Sequence, residues 1–156
     1  MYHEWVSAGL FVKATVTLVI VVSLCVLSIT IITGVAFQNP FWIIVSVSVT
    51  LFLLLIFWNY RGIRVQLNTE KLVVNYGIFN QKAIRLADIV SCEPIKASFR
   101  RYGGIGVRYG VDGSWAYTTS FGNAVKLILQ KGRPFAFSSN NPQKLCNIIN
   151  QTKGMA

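Results

Sequence analysis

The chain has 156 residues, of which 53% are hydrophobic and only 13% are charged, whereas charged residues make up roughly 25% of an ordinary globular domain. Its 15 basic and 5 acidic residues give a net charge of +10. This composition excludes an ordinary globular domain and indicates that apolar residues are concentrated in one part of the sequence.

The charged residues lie almost entirely in the C-terminal part of the chain. Between Ala14 and Tyr60 there is no Asp, Glu, Lys or Arg, while residues 61–156 contain 14 of the basic and 4 of the acidic residues. We therefore predict two domains, a transmembrane hairpin over residues 1–60 and a soluble domain over residues 61–156. The soluble part is long enough to fold by itself.

Two uncharged runs predict a pair of membrane-spanning helices. The first, at about residues 14–37, would extend roughly 36 Å as a helix, which is enough to cross a hydrocarbon core of about 30 Å with some tilt. The sequence Gln38-Asn39-Pro40 interrupts the run, because Pro lacks an amide donor and disfavours helical geometry before it. The second span is predicted at about residues 41–60, with aromatic residues near both of its ends.

The flanking cations predict the orientation of the hairpin. Lys13 precedes the first span, Arg61 and Arg64 follow the second, and the connecting turn has no cation. The positive-inside rule therefore places the protein in the cell membrane with both termini in the cytoplasm. A cleaved signal peptide is disfavoured because the first run is too long and no A-x-A site follows it. No ionisable residue lies inside the spans, so transport is not expected.

Short stretches with two-residue alternation predict about seven β-strands in the soluble part. Gly, Asn or Asp residues separate most of these stretches, as is typical of turns. The predicted strands are residues 64–68, 71–76, 79–86, 89–94, 114–120, 124–130 and 134–138. Strands at such regular spacing favour a sandwich or a barrel.

A single amphipathic helix is predicted after the last strand. Asn141 is a suitable N-cap and Pro142 a suitable first helical residue. Leu145, Ile148 and Ile149 would then form one apolar stripe before Gly154 ends the helix.

This arrangement resembles the pleckstrin-homology-like (PH-like) barrel, in particular small bacterial and archaeal membrane proteins with two N-terminal helices before such a domain. The strings that carry the resemblance are AIRLADIVS, RYGGIGVRYGVDGSWAY and LILQKGRPFAFSSNNPQKL. The resemblance implies an antiparallel barrel with a C-terminal helix. It does not imply phosphoinositide binding. Eukaryotic members that bind phosphoinositides use basic residues in the loop between the first two strands, and this loop reads Asn68-Thr69-Glu70-Lys71 here, with one acid for one base.

The candidate contact residues are mostly arginines. Arg100, Arg101 and Arg108 flank a glycine-rich stretch, and Arg61 and Arg64 follow the second span. Each cation near an anionic leaflet contributes about 1 kcal/mol of attraction. The cluster is therefore either a lipid or partner contact surface or a solvated loop whose charges follow the positive-inside bias.

Trp115 and Tyr117 are the candidate aromatic contacts. Being two residues apart in a predicted strand, they would share one face, either in the core or on an exposed contact site. The preceding glycines fit neither a Walker loop nor a dinucleotide-binding motif. We expect them to provide positive φ angles or bulges.

No catalytic, cofactor-binding or metal-ligating residues are predicted. His3 is the only histidine, and the acidic residues are scattered along the chain. Cys25, Cys92 and Cys146 have no zinc-type spacing and suggest no disulfide framework, so we expect them to be small apolar fillers. We predict that the protein is not an enzyme and has no cofactor.

The leading functional hypothesis is a membrane-anchored interaction or scaffold module whose PH-like domain docks a protein partner at the cytoplasmic membrane face. The alternative is a sensor or binder of anionic lipid headgroups that uses the arginine cluster. The expected partners are membrane lipids and either another protein or a second copy of the chain. Nucleic acid and small-molecule substrates are not expected, because the neighbouring membrane accounts for the charge and no recognition motif is present.

Overall fold

The computed structural model describes residues 2–34 and 40–154, which form two compact units. One unit is Leu10–Asn59, and the other combines residues 2–9 with residues 60–154. The predicted hairpin domain over residues 1–60 is therefore corrected at its N-terminal end, since residues 2–9 fold with the C-terminal domain. The predicted end of the first span and the Gln38-Asn39 part of the predicted turn lie outside the described residues.

Two apolar helices form the first unit. Helix α1 is Leu10–Ile32 and helix α2 is Phe41–Asn59, with lengths of roughly 35 and 28 Å. Both are long and apolar enough to cross a membrane, and neither is buried within the protein. The hydroxyl groups of Ser23 and Thr50 form a hydrogen bond between the helices. Small polar residues of this kind allow two helices to approach closely.

Four antiparallel strands form the first sheet, in the order β1-β2-β3-β4. These strands are β1 (Tyr2–Ser7), β2 (Gly62–Leu67), β3 (Lys71–Tyr76) and β4 (Asn80–Arg85). The last three correspond to predicted strands, and the alternation is clearest in β2, where buried Val65 and Leu67 flank Gln66. Strand β1 was not predicted.

Strand β1 is separated from its neighbour β2 in sequence by the whole helical hairpin. In the sheet, Tyr2 lies opposite Leu67 and Ser7 opposite Gly62. The hairpin is thus inserted between the first two strands of a β-domain. Because β1 precedes both helices, β2 follows them and the two strands are paired, both strands must lie on the same side of a membrane that the helices cross.

Five strands form the second sheet, in the order β5-β8-β9-β7-β6. They are β5 (Ile89–Ala97), β6 (Gly106–Tyr109), β7 (Trp115–Thr118), β8 (Gly122–Leu129) and β9 (Phe135–Ser138). A 3₁₀ turn, Leu86–Asp88, precedes β5, and a short helix, α3 (Phe99–Tyr102), follows it. Strands β7 and β9 run parallel, and the other neighbours are antiparallel.

The structure contains the predicted strands but not the predicted barrel. All seven predicted strands are present, but β1 and β6 add two more. Among the described residues neither sheet closes into a barrel. The expectation of a purely antiparallel barrel is corrected, since β7 and β9 are parallel.

The main core lies between the two sheets. Inward-facing residues of the first sheet, such as Val65, meet those of the second sheet, such as Phe135 and Phe137, in one buried cluster. Helix α4 (Pro142–Gly154) covers this cluster with its predicted apolar stripe, of which Leu145 and Ile149 are buried and Ile148 is partly buried. The helix begins and ends where the sequence predicts.

A disulfide joins β5 to α4. The Cα atoms of Cys92 and Cys146 are 5.4 Å apart and their sulfur atoms are bonded, a separation typical of disulfides. The expectation that these cysteines are only apolar fillers is therefore wrong for this pair. The two residues are 54 positions apart, so their spacing gave no signal. Cys25 is a free cysteine on α1.

Candidate functional site

Both connections to the helices are made at one end of the β-domain. The Gly9 amide donates a hydrogen bond to the Thr119 carbonyl (2.9 Å), and α1 begins at the next residue, Leu10. Tyr60, directly after α2, packs its ring edge-on against Tyr76, with centroids 5.2 Å apart. We call this the helix-proximal end of the domain, and the opposite end the helix-distal end.

Arg61 and Arg64 are brought together by Trp5 of strand β1. Their guanidinium carbons lie 5.9 and 5.8 Å from the centroid of the Trp5 ring, within cation–π range. The ring passes so close to Gly62 that a Cβ there would lie 2.6 Å from Trp5 Cζ2. We call these three side chains, Trp5, Arg61 and Arg64, the Trp5 cluster. The sequence prediction missed Trp5 because it missed strand β1.

Arg100 and Arg101 lie on α3, which follows β5. Arg100 is exposed, whereas Arg101 is half-buried and its carbonyl accepts a hydrogen bond from the Val111 amide at 3.1 Å. The helix ends at Gly103, whose φ of 66° is left-handed and whose amide bonds the Phe99 carbonyl. A glycine at this position follows from the conformation, because other residues rarely adopt it.

Arg108 is held in a different way from the arginines on α3. It lies in β6 opposite Ala116, and its Nε donates a hydrogen bond to the Ile105 carbonyl at 3.1 Å. A Cβ at Gly104 would lie 3.3 Å from its guanidinium group, so the arginine packs against the glycine-rich loop. Gly104 has positive φ, as the sequence predicted for these glycines. Arg108 therefore stabilises the loop besides presenting a charge.

Tyr102 packs the segment 98–113 onto the outer face of the second sheet. Its ring is buried in a small cluster with Ala97, Ala116, Ala124 and Ala136. A Cβ at Gly110 would lie 2.8 Å from the Tyr102 ring, so only glycine fits without a shift. Among the described residues the buried Tyr102 hydroxyl has no hydrogen-bond partner.

An ion pair fixes the end of the same segment. The Nζ of Lys126 on β8 lies 2.7 Å from the Asp112 carboxylate, which also accepts hydrogen bonds from Ser114. Burial by itself would raise the pKa of Asp112, but the hydrogen bonds from Lys126 and Ser114 lower it to about 2. Asp112 is therefore a structural anion at neutral pH.

Trp115 is part of an exposed aromatic and cationic group at the helix-distal end. Its ring is 45% exposed and meets Tyr109, its register partner on β6, edge-on at 5.8 Å between centroids. The guanidinium carbon of Arg133 lies 5.0 Å from the Tyr109 ring centroid. We call Tyr109, Trp115 and Arg133 the distal cluster. Tyr117 shares the strand face with Trp115, as predicted, but is only 9% exposed and belongs to the core.

Large apolar side chains are exposed at the helix-proximal end. We call them the apolar rim: Ile78, Phe79, Phe99 and Phe121. The first two occupy the turn between β3 and β4. The other two contact each other, with ring centroids 6.1 Å apart. Sequence analysis did not identify them, because single apolar residues in turns resemble core residues of the neighbouring strands.

The described residues contain no candidate metal site. No three His, Cys, Asp or Glu residues among them lie close enough to hold a metal ion. The β-domain has a shallow cavity of about 370 Å³ that is lined in part by Ser139 and Asn140. Both residues donate hydrogen bonds to the Glu4 carboxylate. The lining of the cavity contains no ionisable side chain: Val6, Ser120, Phe121, Gly122, Asn123, Ser139 and Asn140.

No family model matches the chain, and no curated protein or solved structure matches it. The resemblance to PH-like membrane proteins therefore stays a prediction from the sequence.

Proposed function

We propose that the protein is a membrane-anchored interaction module that has no catalytic role. Helices α1 and α2 anchor it in the cell membrane, and the β-domain docks a protein partner through the distal cluster. The observation that carries the proposal is the exposed Trp115, in contact with Tyr109, at the end of the domain opposite its connections to the helices.

The composition of the distal cluster favours protein binding. Trp, Tyr and Arg are the residues most enriched among those that dominate binding energy at protein interfaces. Trp115 is held by strand pairing and by contact with Tyr109, so little side-chain freedom remains to be lost on binding. A neighbouring acidic residue, Asp112, is already neutralised by Lys126.

The partner surface is proposed to be acidic. Residues 1–9 and 60–156 contain 14 basic and 5 acidic residues, a net charge of +9. Complementary charge accelerates encounter and selects against basic partners. Docking along an outer strand edge is less well supported at β4 and β5, because they carry Lys82 and Pro94, residue types that discourage strand addition.

We propose a cytoplasmic position for the domain, following the cations at Lys13, Arg61 and Arg64. The Cys92–Cys146 disulfide favours the opposite, oxidising side. Alkylation of the cysteines with a thiol reagent in intact cells, before lysis, decides between the two sides. Modified Cys92 and Cys146 would support the cytoplasm, and unmodified ones the oxidising side.

We also retain the PH-like relationship as a proposal. It is supported by two packed sheets with a C-terminal helix.

Photo-crosslinking of the full chain in its native membrane tests the docking proposal. A photoreactive amino acid is placed at Trp115 and, as a matched exposed control on β5, at Val90. We expect a discrete crosslinked product from position 115, which loses intensity when Arg133→Glu reverses the adjacent charge. No discrete product at 115, or the same product from both positions, would contradict the proposed docking surface.

A further inference from the structure

We infer that the helix-proximal end of the β-domain is a second membrane-binding surface, with the apolar rim inserted at the headgroup–acyl boundary of the bilayer. The inference rests on the membrane anchoring proposed above. It adds a lipid contact that the two helices do not provide, and it assigns this end of the domain to lipid while the distal cluster remains available to a protein partner.

The position of the apolar rim follows from the hydrogen bonds of the domain. Thr119, which bonds Gly9, is two residues before Phe121. Phe79 lies in the turn that follows β3, whose last residue, Tyr76, contacts Tyr60. Both parts of the rim therefore lie at the end where the chain leaves for α1 and returns from α2.

The exposure of the rim is unusual for a surface in water. Phe79 is 82% exposed and Phe99 is 67% exposed, and two further large apolar side chains lie at the same end. Single exposed apolar residues are common, but several at one end of a domain indicate an interaction surface. The rim needs a partner that removes these side chains from water.

The chain connection favours lipid as that partner. No linker separates the domain from α1, since Leu10 directly follows the hydrogen-bonded Gly9. Lys13, the cation that precedes the predicted span, is four residues after Gly9, so the chain between this end of the domain and the proposed membrane entry extends at most about 14 Å. Such confinement gives lipid a high effective concentration that a free partner does not have.

The charges near this end also suit a bilayer surface. Ser7 and Gly62, at the helix-proximal end of β1 and β2, are close in sequence to the Trp5 cluster. An amphipathic indole ring with two arginines beside it is suited to the headgroup zone, where aromatic rings partition and cations meet anionic lipid. Combined with the apolar rim and the short connection to α1, these side chains suit a contact with the membrane interface.

Depth-sensitive quenching in vesicles tests the inference. The full chain carrying Cys25→Ser is given one new cysteine, either Phe79→Cys in the rim or Val111→Cys at the helix-distal end, where Val111 is 86% exposed. Each is labelled with nitrobenzoxadiazole without reductant, so that Cys92 and Cys146 stay paired. The protein is reconstituted into vesicles of phosphatidylcholine and phosphatidylglycerol.

The two labels are expected to behave differently. Aqueous iodide should quench the label at 79 roughly threefold less than the label at 111, because a side chain at the headgroup–acyl boundary is shielded from water. Spin-labelled lipid should quench only the label at 79. Phe99→Ser with Phe121→Ser should increase iodide quenching at 79, whereas Val90→Ser should not.

The outcomes separate this inference from the anchoring on which it rests. Release of the protein from vesicles by alkaline carbonate would refute the anchoring and the inference together. Retention in carbonate with equal iodide quenching at both positions would refute the lipid contact and leave the anchoring in place. Equal shielding of both labels would also refute it, because the contact would then not be specific to the helix-proximal end.

Discussion

Reduction of the Cys92–Cys146 disulfide should lower the free energy of unfolding of the β-domain by about 4 kcal/mol. The bond joins residues 54 positions apart in β5 and α4, and in the chain-entropy model a closed loop of that length removes about 14 cal/mol/K from the unfolded chain, or about 4 kcal/mol at 25 °C. Reduction is preferred to Cys→Ser replacement because Cys146 is buried. A serine there would add the cost of burying a hydroxyl group.

Urea unfolding of the purified full chain in detergent provides the measurement. The loss of near-ultraviolet circular dichroism is followed with and without a phosphine reductant. The Cys25→Ser variant is the control, since Cys25 is a free cysteine outside the β-domain, and it should show the same loss on reduction. A change below about 1 kcal/mol would refute the loop-closure reasoning, as would alkylation of all three cysteines without reductant.

Three further predictions concern the packing of the β-domain. Tyr102→Phe should leave the free energy of unfolding unchanged or raise it by up to about 1 kcal/mol, because the removed hydroxyl is buried without a partner; a loss in urea unfolding would contradict this. Gly62→Ala should lower it by about 1–3 kcal/mol because its Cβ would meet the Trp5 ring at 2.6 Å, and Trp5→Leu in the same chain should relieve part of that loss. The lowered pKa of Asp112 means that its ion pair with Lys126 stabilises the fold above its ordinary pKa of 3.8 and stops doing so as the pH falls through about 2. Asp112→Asn should therefore reduce the acid-induced loss of stability in that range, and unchanged acid unfolding would contradict the assignment.

Local sequence signals were sufficient for most of the fold. The uncharged runs predict α1 and α2 because helix length and apolarity are properties of each segment alone. Alternation of Val65 and Leu67 with polar neighbours predicts β2, and the stripe containing Leu145 predicts α4, because each pattern reports one buried face. The shared face of Trp115 and Tyr117 also follows from strand geometry alone.

The features that could not be predicted depend on contacts between distant parts of the chain. Strand β1 has no simple alternation of apolar and polar residues; its place in the fold depends on pairing with β2 and on Glu4, which accepts a hydrogen bond from Ser139 at 2.9 Å. The distal cluster combines Tyr109 and Arg133 from separate strands and turns. Nothing in the sequence near Trp115 indicates which of these residues will surround it.

The insertion of the hairpin between β1 and β2 links the biogenesis of the protein to its folding. Strand β1 is synthesised first, but its partner, Gly62–Leu67, is synthesised only after both helices. The first sheet can be completed only when the two ends of the hairpin reach the same compartment. A chain with one helix left uninserted would separate β1 from β2 and leave an edge of β2 open to aggregation. If the helices cross a membrane as proposed, completion of this sheet excludes an arrangement in which only one of them has inserted.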